Sequence, residues 1–381
     1  MPEIDASPDL VDALVPLAAS SPVFAVRHQR DKVVAATQGS YAAIFDAALT
    51  GPSMTERLLA AHQVARLSGS AALQAHYRER LLVGDGLTPT QHAALNGEPL
   101  MGDERLQTIL AFSRTLTEHP VDGDRTALLT LPAAGLATAE VVALAQLIAF
   151  VAYQVRVLAG LQAMAAALAE EAPVALATTS DEAPFVHPAH LPKPGEPLRV
   201  NGFTSESLEW RAWLPVVDLT LATPAQLAVL ESSHPKAKTS DYYRLLAHQP
   251  RILNERSLVF NAIMYAPGGL SRAERELASA AVSRINGCVY CASVHAQRFE
   301  QLAKRNDVIH QLFTDPLTAG TSARERAVVQ LAVALTREPA RFAAADLAGV
   351  RAAGLSALET LDLVHAVAIF AWANRLMLNL G

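Results

Sequence analysis

Cysteine is nearly absent from this sequence. Its 381 residues hold two, Cys288 and Cys291. Thiols this close cannot staple a domain, because a bond between them closes only a tiny loop. A disulfide framework is therefore excluded, and the expected compartment is the cytoplasm, where a close pair serves catalysis or metal binding. Charge is scarce as well: charged residues make up 18%, with a formal net charge of -6 and a pI near 6.1. That balance gives no broad basic field for phosphate backbones or anionic lipid, so neither nucleic acid nor membrane is an expected partner. Aromatics reach only 6%, while helix-favouring Ala and Leu dominate, which points to an all-α fold. The start, MPEIDASPDLVDAL, lacks the basic region that precedes the apolar run of a secretory signal. The most apolar segment, from Val141, is interrupted by Gln146, Gln154 and Arg156. Its unbroken runs are too short to span a bilayer, so it reads as a helix inside a large core. No flavin or nicotinamide fingerprint is present, so no bound cofactor is expected.

What the chain does contain is itself, twice. Residues 133–158, AAGLATAEVVALAQLIAFVAYQVRVL, align without a gap to residues 352–377, AAGLSALETLDLVHAVAIFAWANRLM. Gly135 meets Gly354, Glu140 meets Glu359, Tyr153 meets Trp372 and Arg156 meets Arg375. Upstream, DERLQTILAFSRTLTEHP from Asp103 resembles RERAVVQLAVALTREP from Arg324, and PSMTERLLAAHQVARLSGS from Pro52 resembles GLSRAERELASAAVSRINGC from Gly269. Three blocks in one order mean a duplicated helical unit. With 51% hydrophobic residues the chain is long enough for more than one core. The expected division is a first helical domain at 1–170, an irregular connector with short helices at 171–240, and a second helical domain at 241–381. In the connector, Trp210 and Trp213 stand one helical turn apart before Pro215. They are read as anchors of the connector, the alternative being a cover over a site.

The second copy holds the chemistry, in NGCVYCASVHAQRFEQL at 286–302. Ser271 with Glu274 three residues on forms a capping box, and Asn286-Gly287 breaks the helix that follows it. A new helix then begins at or beside Cys288. Positions 288, 291 and 295 share one face of it. Cys288 would lie in the first turn, where unpaired N–H groups favour a thiolate. His295 is placed to take a proton from Cys291. If the preceding helix packs back, the Glu276 carboxylate reaches the cluster and relays a proton or orients the imidazole. Arg284 is read as a solvated helix-end charge, or as a second aid to the thiolate.

The order Glu276, Cys288-x-x-Cys291, then His295 resembles the alkylhydroperoxidase D group of the carboxymuconolactone decarboxylase superfamily. The wording GGLSRAERELASAAVSRINGCVYCASVHA looks like its peroxidase-related branch. The resemblance covers the second copy with specific motifs and the first more loosely. It implies an all-α fold and assembly into a homo-oligomer. It also implies that Cys291 attacks a hydroperoxide, Cys288 resolves the sulfenic acid as a disulfide, His295 is the base and Glu276 completes the relay. The electrons would come from an external dithiol or a small redox protein. Where some relatives have a histidine between the cysteines, this chain has Tyr290.

Other readings stay open. Zinc would need ligands beyond the pair and His295, whose spacing suits a closed tetrahedral site poorly. The alternatives for the thiols are small core hydrophobes, a redox sensor without turnover, or bystanders in a lactone decarboxylase. The first copy has no thiol: Ser70 faces Cys288, Leu73 faces Cys291, Leu58 faces Glu276, and Tyr77 (or His76 with a one-residue shift) faces His295. It reads as a degenerate packing partner, with His62 and His76 as ordinary core or surface residues. In the last helix, His365 and Asn374 are candidates to line the pocket, whereas Arg375, matched by Arg156, reads as half of a structural ion pair.

Overall fold

A computed structural model of the chain describes residues 9–83, 86–169, 193 and 195–381. The architecture is all-α, apart from one two-residue hairpin, β1 (Arg199–Val200) with β2 (Phe203–Thr204). Five helices of the first half are α1 (Asp31–Ile44), α2 (Met54–Leu67), α3 (Ala71–Leu82), α4 (Glu104–Glu118) and α5 (Thr138–Ala169). After the hairpin come α6 (Pro224–Ser233) and α7 (Asp241–Leu246). Five helices then repeat the first set: α8 (Pro250–Met264), α9 (Arg272–Ile285), α10 (Val289–Ala303), α11 (Ala323–Arg337) and α12 (Ala357–Asn379).

The repeat is visible in its capping chemistry. Ser53 and Glu56 form a capping box on α2, as Ser271 and Glu274 do on α9. Each box glutamate then meets an arginine that bridges it to the last helix of its own unit. Arg105 joins Glu56 and Glu140, both at 2.7 Å. Arg324 joins Glu274 and Glu359 in the same way. One position inside each helix, the buried Arg57 and Arg275 tie down the loop after α1 and α8 through its carbonyls.

The two units face each other around an approximate twofold axis. α1 packs on α8, and α5 lies along α12. Their buried residues form one continuous core. Across the axis, Arg156 donates to the Thr336 carbonyl at 2.8 Å, and Arg375 donates to that of Leu116 at 2.8 Å. These matched arginines are thus not an ion pair. Each caps the C-terminus of a helix in the opposite unit, where exposed carbonyls attract a cation. Both α5 and α12 are long and apolar enough to cross a membrane, but their most apolar windows are 100% and 89% buried in the fold.

The Pro-, Thr- and His-rich part of the connector at 171–192 lies outside the described residues. The remainder is irregular with short helices. No helix forms around Trp210 and Trp213. Instead the Trp210 indole donates to the Met377 carbonyl at 2.9 Å, and the Trp213 N–H donates to Leu380 at 2.9 Å. Both tryptophans anchor the connector to the end of α12.

Candidate active site

The dithiol lies where α9 turns back into α10. α9 ends in a reversal at Asn286 and Gly287, the latter at φ +75°. A Cβ there would stand 3.2 Å from Val121, so glycine suits both the conformation and the space. Cys288 is the N-cap of α10, and Cys291 stands in its first turn. The turn is held from α12: Asn374 accepts from Asn286 and donates to Ser283, both at 3.0 Å. Asn374 therefore positions the start of the cysteine helix.

α9 and α10 pack antiparallel, which brings Glu276 to His295. The Glu276 carboxylate, fully buried, bonds His295 Nδ1 with one oxygen and accepts from Arg272 Nε at 2.6 Å with the other. Burial alone would push this carboxyl up. His295 and Arg272 outweigh it and hold the group below its ordinary range. The imidazole edge rests on Phe370, with ring centroids 4.3 Å apart. Nδ1 is thus engaged, and the ring is locked one turn from Cys291.

Burial pushes the Cys288 thiol well above its usual range, and its hydrogen bond to the Cys291 side chain adds to this. The expectation that helix position makes Cys288 a thiolate is corrected here. At 1% exposure, desolvation outweighs the helix N-terminus. Arg284 gives no help to either sulfur. Its guanidinium covers the Phe203 ring at 4.5 Å and donates to the Phe313 carbonyl, so it is held there, partly exposed, rather than at the thiols. His365 lies by Asp362, Arg30 and Arg275 rather than at the dithiol, and burial lowers its pKa to about 4.

Sequence reasoning missed two residues. Tyr242 of α7 is buried, and its hydroxyl has no partner. Arg256, Cys291 and Tyr290 are its electrostatic neighbours. Arg256 of α8 is 5% exposed, and its guanidinium lies over the rings of Tyr242 at 5.4 Å and Trp372 at 5.9 Å. Trp210 meets Tyr242 edge-on at 5.5 Å, so the connector reaches the dithiol through this ring pair. No periodicity marks these positions. The signal available was the polar Arg256 on an otherwise apolar helix face.

In the first unit, Ser70 takes the N-cap place of Cys288. That register sets Tyr77 opposite His295. Tyr77 is buried and donates to Gln154 at 2.6 Å. His76 instead contacts the Tyr41 hydroxyl at 2.8 Å. His62 is buried, with Nε2 unpartnered. Among the described residues no group of three or more His, Cys, Asp or Glu side chains is arranged to hold a metal ion.

The fold and the site together define an all-α unit built of antiparallel helix pairs, with a CxxC pair opening one helix. Residues 250–334 match the carboxymuconolactone decarboxylase family. A crystal structure described as an alkylhydroperoxidase AhpD core, an uncharacterized peroxidase-related protein from Ralstonia eutropha, is similar to the chain. It is 26% identical over 42% of this chain and 86% of that chain, with a TM-score of 0.38. No curated protein matches the chain.

Proposed function

We propose that the protein is a thiol-dependent hydroperoxide reductase with one dithiol site per chain. The observation that carries this reading is the bond between buried Glu276 and His295 Nδ1, one helical turn from Cys291. An imidazole fixed by a carboxylate at one nitrogen presents the other as a base. His295 takes the Cys291 proton, and the thiolate attacks the distal peroxide oxygen. The O–O bond breaks and the alkoxide leaves as alcohol with the proton from His295, while Cys291 becomes a sulfenic acid. The Cys288 sulfur then displaces hydroxide from that sulfenic acid, releasing water and forming the Cys288–Cys291 disulfide. Its raised pKa keeps Cys288 protonated and out of the first step. An external dithiol exchanges with the disulfide and restores both thiols.

The thiol-less repeat at 1–170 acts, in this reading, as a built-in packing partner for the unit at 241–381, and chains associate further into a homo-oligomer. The family match also favours a second reading, a lactone decarboxylase that does not depend on the thiols. Steady-state consumption of an alkyl hydroperoxide with a dithiol donor separates these readings. Turnover that vanishes in Cys291→Ser supports the reductase. Full lactone activity in Cys291→Ser establishes the decarboxylase, and consumption that stops after one equivalent identifies a sensor.

A further inference from the structure

On the approximate twofold axis lies a cleft of about 760 Å³, walled by the loops that follow α2, α4 and α11 and by Asn286-Gly287. Five arginines line it against two glutamates. Glu118 is turned to Arg114 at 3.5 Å, and Glu338 to Arg341 at 3.2 Å. Arg66, Arg156, Arg337 and Arg375 also line the cleft.

Arg156 and Arg375 are only 4% and 3% exposed. Each directs its donors to main-chain carbonyls, none of which carries a full negative charge. Helix C-termini offer roughly half an elementary charge each, so two guanidiniums remain under-neutralised side by side. Their mutual repulsion adds to burial in lowering the Arg156 pKa. Arg156 Nε is buried with no partner, and so is Arg66 Nε. The Arg66 guanidinium packs on Gly97. A region of like charge, unspent donors and open volume in a chain of net charge -6 calls for a counter-charge that the described residues do not supply.

We propose that this cleft binds a small polyanion carrying phosphate or carboxylate groups, held by Arg66, Arg156 and Arg375 at the axis with Arg337 at the rim. The ligand sits behind the Asn286-Gly287 turn, outside the dithiol, and the proposal shares no residue with the peroxide chemistry. Guanidinium forks match both oxyanions.

The test is calorimetric titration of the full chain with sodium pyrophosphate and, separately, trisodium citrate, at ionic strength held constant with sodium chloride. Saturable binding at one site per chain is expected. Affinity should fall at least tenfold in Arg66→Glu and in Arg337→Glu, and remain unchanged in Cys291→Ser. Arg66 is half-buried and Arg337 exposed, so either variant serves if the other melts early. Binding of pyrophosphate alone assigns a phosphate ligand, of citrate alone a carboxylate, and of both a polyanion read by charge. Absence of saturable binding with either probe, or wild-type affinity in both folded variants, overturns the proposal.

Discussion

Glu276 and His295 stand nineteen residues apart and share one hydrogen bond between a fully buried carboxylate and a ring nitrogen. That contact joins α9 to α10 and engages Nδ1, so that Nε2 is the ring nitrogen left for chemistry. Glu276→Gln keeps the shape but removes the charge that steadies the ring. Peroxide turnover is expected to fall on the order of 100-fold. The pH–rate profile should shift as well, a change that mere loosening of the helix pair would not produce. An unaltered profile in a folded variant would argue against the relay.

The place of Cys288 at the N-cap beside Cys291 makes a second expectation. Cys288→Ser removes the resolving sulfur while leaving Cys291 intact, so the sulfenic acid should persist after one equivalent of peroxide. Dimedone labelling followed by mass spectrometry should locate the adduct on Cys291. Labelling of Cys288 in the Cys291→Ser variant instead would reverse the assignment.

Stability should fall with acid. His62, His76 and His365 have pKa values lowered to about 4 from 6.5, chiefly by burial. The unfolded chain therefore binds more protons than the folded one between these values. The contribution is present above pH 6.5 and is lost as pH falls towards 4. His365 faces Asp362, Arg27, Arg30 and Arg275. Its share is about 3 kcal/mol. His365→Gln, which installs the residue found at the matching Gln146, should flatten the dependence of urea midpoint on pH across that window.

Three glycines at positive φ form a graded series. A Cβ at Gly69 would lie 2.5 Å from Ala340, one at Gly287 3.2 Å from Val121, and one at Gly354 would meet nothing within 4 Å. Alanine at Gly354 should cost about 1 kcal/mol from backbone strain alone. Gly287→Ala should cost more and Gly69→Ala most, as read by urea denaturation. Equal losses at all three would mean that the close approach of the two units contributes nothing.

Much of this arrangement was legible in the sequence, and the limits have physical causes. The duplication showed through Gly135/Gly354 and Arg156/Arg375 because turns and caps tolerate few residue types. Its first helix pair, α1 with α8, did not, since a half-buried helix admits many substitutions. The spacing of Cys288, Cys291 and His295 fixed their common face by helix geometry alone. What Arg156 and Arg375 bind could not be read that way, because their carbonyl partners lie in the opposite unit. Nor could the protonated state of Cys288 be read, as it depends on desolvation by segments far along the chain. Tyr242 and Arg256 were hidden for the same reason.

The most direct measurement is a single-turnover pulse on the fully reduced chain, counting free thiols and identifying the product by mass spectrometry. One equivalent of alkyl hydroperoxide should consume both thiols, release one alcohol and leave a Cys288–Cys291 disulfide that a dithiol reverses. Two intact thiols beside unconsumed hydroperoxide would contradict the account.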